Sequence, residues 1–572
     1  MGPSRDFAAG IVKVRAVPNR FSVYAPGGRV ALPNNPFGKD VANHQLFRSL
    51  ALHGGYEQFD VLSLRPSTDE VLRTDLVGDG ASPTRFMARA VTDQAVPAAS
   101  GVLLRGAADI LELSWLRRRM VGDTAYSLMG LVHTLGPPAI RQTIANALHG
   151  PTHAWDAIIC TSPSVQQAVR QMMDEYGDWL AERTGGSAPQ GPSLPIVPLG
   201  VDGARFAGLA DRPQVRQAVR QRLGVADDGV LLLWVGRLSY FEKAFPQPMF
   251  RAAQQAAEAT GAKVTFALAG WFPSENDRGI YQEAAAAQAP GVDIRFLDGN
   301  DHGLVGELWA ASDVFISLVD NVQETFGITP IEAMAAGLPV VVSDWDGYRF
   351  TVRDGQEGFL IPTLSGPING VGEFMAGRHV IEMDAYQAYV GAVAQHTAVN
   401  VAACADALAR LIREPELRRR MGAAGRERVR TAFDWPVVVG QINALADELA
   451  QVRQAAQKPV TQHRLNPIKG DPFRDFAGFA TDTWSLDLRL SARPGVTVEQ
   501  VRGSRAIRLD SAFGQWRGDL EEAAQAFELI AAAKAATPRE VLASFPPNRR
   551  RLVEMSLAWM AKQGFLEWRQ QT

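Results

Sequence analysis

Two glutamates, Glu324 and Glu332, stand with seven residues between them within ETFGITPIEAMAAG, residues 324–337. Between and beside them, Thr329-Pro330-Ile331-Glu332 reads as a helix start, with Thr329 as N-cap, Pro330 at the first helical position and Glu332 at the third. Gly337 is placed to end that helix. A helix N-terminus presents free backbone N–H groups and the positive end of a dipole, so it suits a diphosphate. The two carboxylates flank that seat. A basic pair lies upstream: Arg237 directly after VLLLWVG, residues 230–236, and Lys243 after five intervening residues. In open α/β sheets, ligands bind at the carboxyl ends of the strands, which is where Arg237 would emerge.

These side chains need a sheet to hold them. ASDVFISLV before the glutamate motif and LPVVVSD after it are short, β-branched and bounded by turn formers, as buried parallel strands are. VTFALAGWF and VDIRFLDGND read as two further strands of the same half. The first half opens with a strand at FSVYA, then a Gly-, Pro- and Asn-rich loop running to Gly38-Lys39-Asp40. A helix is expected from Val41 to Leu52, with Asp40 as its N-cap, followed by a strand at FDVLSL. Strand, glycine loop, helix and strand make a Rossmann-type opening. YSLMGLVHTLGPP places His133 just beyond another apolar strand, where it is either a ligand contact or a hydrogen-bonded core residue.

The spacing of the two glutamates, with Gly327, Pro330, Gly337 and Pro339, resembles the signature of the family 4 retaining glycosyltransferases. The likeness continues through DGYRFTVRDGQEGFLIP, residues 346–362. It implies an α/β chain of two Rossmann-like domains facing a cleft, the GT-B fold. It implies that Arg237 and Lys243 grip a donor diphosphate, that Glu324 contacts donor-sugar hydroxyls and that Glu332 contacts the ribose. Phe326, Gly327, Ile328 and Thr329 would supply the loop around the phosphates, and His133 and Gly38 would face the cleft from the first domain. The donor is then a nucleotide-diphosphate sugar and a substrate, with no cofactor and no metal. The acceptor would be a glycan, lipid or protein hydroxyl. A scaffold or regulator responsive to sugar nucleotides, and an epimerase on the same fold, are the competing readings. The four charged residues together favour transfer.

At 572 residues the chain exceeds one core. The domains expected are 1–205, the acceptor side, and 206–456, the donor side, whose last helix returns to the first domain. Residues 363–400 read as an insertion. Residues 457–572 read as a polar linker and a small α+β winged-helix-like module, ending in a capped short helix, a longer helix and a strand. A protein partner suits that module better than nucleic acid, because Arg549-Arg550-Arg551 reads as a solvated face and the net charge is −3. The two cysteines, Cys160 and Cys404, sit in apolar settings that suit buried thiols. With no stretch of bilayer length and no apolar core at the N-terminus, the expected compartment is the cytoplasm, peripheral membrane contact remaining open.

Overall fold

The computed structural model describes residues 19–32, 38–78, 80, 82–457 and 463–569. The chain divides into two compact units, one ending at Arg464 and the other beginning at Leu465.

The first unit holds two six-stranded parallel sheets. One comprises β1 (Arg20–Tyr24), β2 (Gln58–Ser63), β3 (Arg85–Ala90), β4 (Val102–Arg105), β5 (Ser127–Leu131) and β6 (Ala157–Ile159), in the order β3-β2-β1-β4-β5-β6. The other comprises β7 (Val230–Val235), β8 (Val264–Gly270), β9 (Asp293–Asp298), β10 (Val314–Ser317), β11 (Val340–Ser343) and β12 (Gly358–Ile361), in the order β12-β11-β10-β7-β8-β9. Both are the doubly wound order, with its switch point between the first and fourth strands. Helices cover both faces, so β5, β8, β10 and β11 are buried throughout and read as unbroken apolar runs. β9 lies at a sheet edge, and its DIRFLD sequence keeps polar residues at exposed positions. Two Rossmann-like domains in tandem form the GT-B fold.

The helix Trp435–Ala455 ties the domains together. Asn443 accepts a hydrogen bond from the Tyr56 hydroxyl, and Arg453 donates to the Gly101 carbonyl at 3.0 Å. At its start, Trp435 packs so tightly on Gly200 that a Cβ there would lie 2.5 Å from the indole. Deep in the first domain, Arg117 and Asp156 form a fully buried pair at 2.6 Å, with the Tyr126 carbonyl taking a further N–H at 2.7 Å. No helix of the described residues is long and apolar enough to cross a membrane.

Two expected helix starts differ from the structure. The first helix runs Gly38–His53, placing Asp40 inside its first turn rather than at its N-cap. The motif helix runs Ile328–Ala336 with Gly327 as N-cap at φ 82°, so Thr329 is not the cap and no capping box forms. The physical reason lies in Gly327. Only a residue at ease in the left-handed region lets the chain turn into the helix that early, and a Cβ there would strike the Tyr348 ring at 1.8 Å. Gly337 ends the helix in the left-handed conformation. Residues 33–37 of the first glycine-rich loop, and 458–462 of the linker, lie outside the described residues.

In the second unit, helices Leu520–Ala532, Pro538–Ala543 and Arg550–Lys562 surround a core containing Phe527, Leu557 and Met560. Strands Arg489–Ala492 and Leu566–Arg569 pair antiparallel beside them. Thr537 and Glu540 form a capping box at the short middle helix. Arg549 is paired with Glu522 at 2.6 Å and Arg550 donates to the Phe545 carbonyl at 2.9 Å, so two of the three consecutive arginines serve the module itself.

Candidate active site

The switch point of the second sheet lies where β7 and β10 run side by side, and the loops leaving them carry the predicted charges. β7 ends at Val235, and Arg237 follows the extended Gly236. Arg237 pairs with Glu242 at 2.5 Å and lies 5.7 Å from the centre of the Trp271 ring, which fixes its guanidinium near the strand ends. Lys243 Nζ reaches Glu324 Oε2 at 3.3 Å. The two loops are laced to each other. Asn321 donates to the Phe241 carbonyl, and the buried Asp320 accepts from the Phe245 N–H at 3.2 Å. Burial holds the Asp320 carboxyl well above its usual range.

Glu324 occupies the mouth of the motif helix. Its Oε1 faces the backbone N–H groups of Thr325 and Gly327 at 3.2 Å each, with Phe326 N–H at 3.5 Å. Burial pushes this carboxyl up, but Lys243 and the N–H groups outweigh it and hold it below its ordinary value. The anion at the helix mouth is thus the Glu324 carboxylate. Phe326 is buried against Phe433, with ring centres 6.1 Å apart, which pins the loop from below. Thr329 bonds the Tyr348 hydroxyl, which also meets Ser317 Oγ at 3.0 Å.

Glu332 is one turn further along the helix and half-buried. Burial raises its carboxyl to about 7, and the Arg205 guanidinium counters this only in part. It takes no part in capping.

The first domain meets this edge through hydrogen bonds, Ser164 Oγ donating to the Asp346 carbonyl at 3.4 Å among them. Thr325 Oγ1 donates to the His133 carbonyl at 2.9 Å, Thr161 Oγ1 to the Thr325 carbonyl at 3.1 Å, and Ser162 Oγ to Asp346 Oδ1 at 3.2 Å. The His133 main chain thus lies on the cleft. Its ring turns back toward its own domain, with Nε2 2.9 Å from Asn43 Oδ1 and 3.1 Å from the Gly106 carbonyl. Burial pushes the imidazole down to about 4 against the pull of the Gly106 carbonyl, so it is neutral at pH 7. Lys39 and Asp40 at the start of the first helix act on the same ring; Gly38, which opens that helix, is exposed, with open space where a side chain would be. Asp346 adopts φ 43°, and burial, with Glu324 nearby, raises its carboxyl to about 7.

Glu242, Asp320 and Asp346 take part in this geometry without having been singled out in the sequence. Glu242 was legible in principle, as an acid between two bases of one loop.

The chemistry of the arrangement is that of an anion seat. Two cations, each screened by a carboxylate, border a row of backbone N–H groups at a helix mouth, at a sheet switch point. Residues 215–365 match the family model "Glycosyl transferases group 1". This stretch is a group 1 glycosyltransferase domain. It contains Arg237, Lys243, Glu324 and Glu332 together. The chain is 36% identical over 198 residues to a D-inositol 3-phosphate glycosyltransferase of Geodermatophilus obscurus, covering 34% of this chain and 39% of that one. It is 35% identical over 172 residues to a phosphatidyl-myo-inositol mannosyltransferase of Mycobacterium leprae, covering 30% and 36% respectively. These alignments therefore span well under half the length of either relative. Among solved structures, the chain is similar to Anabaena Alr3699/HepE in complex with UDP, at 15% identity and TM-score 0.49, over 75% of this chain and 100% of that one.

Proposed function

We propose that the protein is a retaining glycosyltransferase that moves a sugar from a nucleotide-diphosphate donor to an acceptor hydroxyl without a divalent cation. The observation that carries this is the Lys243–Glu324 pair closed over the N–H groups at the motif helix mouth. An arriving diphosphate offers Lys243 two negative charges in place of one, and releases Glu324 to bind sugar hydroxyls. Arg237, exchanging Glu242 for phosphate, would add the second cation. Charge growing on the leaving diphosphate is then met by two side chains and oriented amides, which is the work a metal ion would otherwise do. Glu332 would take the ribose hydroxyls. The departing phosphate would accept the acceptor's proton on the same face of the sugar, which retains the anomeric configuration.

Mass spectrometry of ligand retained through purification, followed by a hydrolysis screen of nucleotide sugars with and without EDTA, tests this. Slow donor hydrolysis unaffected by EDTA supports the reading. Binding of no nucleotide sugar, or activity wholly dependent on added metal, defeats it.

A further inference from the structure

Residues 363–400 leave the second sheet after β12 and close on themselves, Thr363 pairing with Val399 and Leu364 with Ala398. Between these strands stand helices Val371–Val380 and Tyr386–Gln395. Arg378 and Asp384 at 2.6 Å, and the stacked rings of His379 and Tyr389 at 5.3 Å, hold the two helices together. Such an excursion can fold without serving the site, so its contacts decide what it does.

The second helix is seated on both loops that carry the charged residues. Gly391 abuts Phe241, and a Cβ there would lie 3.0 Å from the Cβ of Phe241, the residue before Glu242. The Tyr386 hydroxyl donates to Gln323 Oε1 at 2.8 Å, directly before Glu324. The same hydroxyl faces the first domain, where a Cβ on Gly136 would meet it at 2.6 Å. One helix thus touches the Arg237–Lys243 loop, the glutamate loop and the loop that follows His133.

We propose that Tyr386 is a positioning residue for the donor: its hydroxyl anchors Gln323, and through it the Glu324 carboxylate, while the helix Tyr386–Gln395 walls the cleft beside Arg237 and Glu242. The inference rests on the donor-site reading above. Gln323 is held at two points, since its N–H also donates to Asn321 Oδ1 at 2.8 Å. Releasing its side chain would leave the peptide ahead of Glu324 held by the Asn321 bond alone, and the carboxylate less firmly placed. Burial, with Glu242 nearby, pushes the phenol above its ordinary value, so it keeps its proton and stays a donor.

Tyr386→Phe keeps the ring and removes only the hydroxyl. In the ligand-free protein, hydrogen–deuterium exchange should quicken over residues 321–327 and over the insertion helix, with the melting temperature nearly unchanged. With a donor that the wild type hydrolyses, KM should rise about five- to tenfold, the loss of one hydrogen bond, while kcat stays within about twofold. Gly391→Val, which presses the helix off Phe241, should move KM in the same direction. Unchanged exchange at 321–327 together with unchanged KM, or a loss confined to kcat, overturns the inference and leaves the donor-site reading standing. A wild type that binds no nucleotide sugar overturns that reading, and the inference with it.

Discussion

Lys243 Nζ lies 3.3 Å from Glu324 Oε2, while the other oxygen of that carboxylate faces the N–H groups of Thr325 and Gly327 at 3.2 Å. The cation of one loop and the anion of the next thus neutralise each other at the helix mouth. Lys243→Ala should lower turnover by roughly 10²–10³, as loss of leaving-group stabilisation does. Arg237→Ala should do the same by a smaller or equal factor. Single-turnover donor hydrolysis measures both. Near-normal rates in both variants would remove the diphosphate assignment.

Glu332→Gln now distinguishes two roles more sharply than the sequence allowed. Because Gly327 rather than Thr329 caps the helix, Glu332 has no capping duty to lose. The melting temperature at pH 8 should therefore hold or rise, since a half-buried carboxylate is replaced by a neutral amide. If the carboxylate binds ribose, donor kcat/KM should fall about ten- to a hundredfold, the worth of a charge-assisted contact. Equal kinetics for both residues would leave Glu332 outside the site.

Asp346 gives a signed pH dependence. Its folded value of about 7 lies above the ordinary 3.8, so the folded state binds the proton more tightly than the unfolded. Its contribution to stability is complete below about pH 4 and is lost as pH rises through about 7. His133, pushed down to about 4, works in the opposite sense: its contribution is present above pH 6.5 and is lost as pH falls toward 4. The wild-type curve mixes these with other groups, Glu332 among them, so the informative quantity is a difference. The melting temperature of Asp346→Asn minus that of the wild type should grow more positive from pH 5 to pH 8. A flat difference would mean that Asp346 is ionised throughout.

The buried Arg117–Asp156 pair tests the scaffold apart from the chemistry. Asp156→Ala strands a fully buried guanidinium and should cost about 3–5 kcal/mol in urea unfolding. The double change Arg117→Met, Asp156→Leu should recover much of that. A loss below about 1 kcal/mol for Asp156→Ala would mean that water reaches the arginine.

What the sequence determined by itself is local or strongly patterned. Unbroken apolar runs mark strands covered on both faces, and the spacing from Glu324 to Gly337 marks a loop and helix between two of them. Arg237 was placed at a strand's carboxyl end because the run before it could only be a buried strand. Tertiary structure decided the rest. The start of the motif helix moved to Ile328 because Tyr348, beyond the next strand, leaves room at residue 327 only for a glycine. His133 was placed at the cleft, but whether its ring faced a ligand depended on Asn43 and Gly106, 90 and 27 residues away. Tyr386 carried no signal at all, since its role comes from where a 38-residue excursion folds back, and contacts at long range leave no period in the chain.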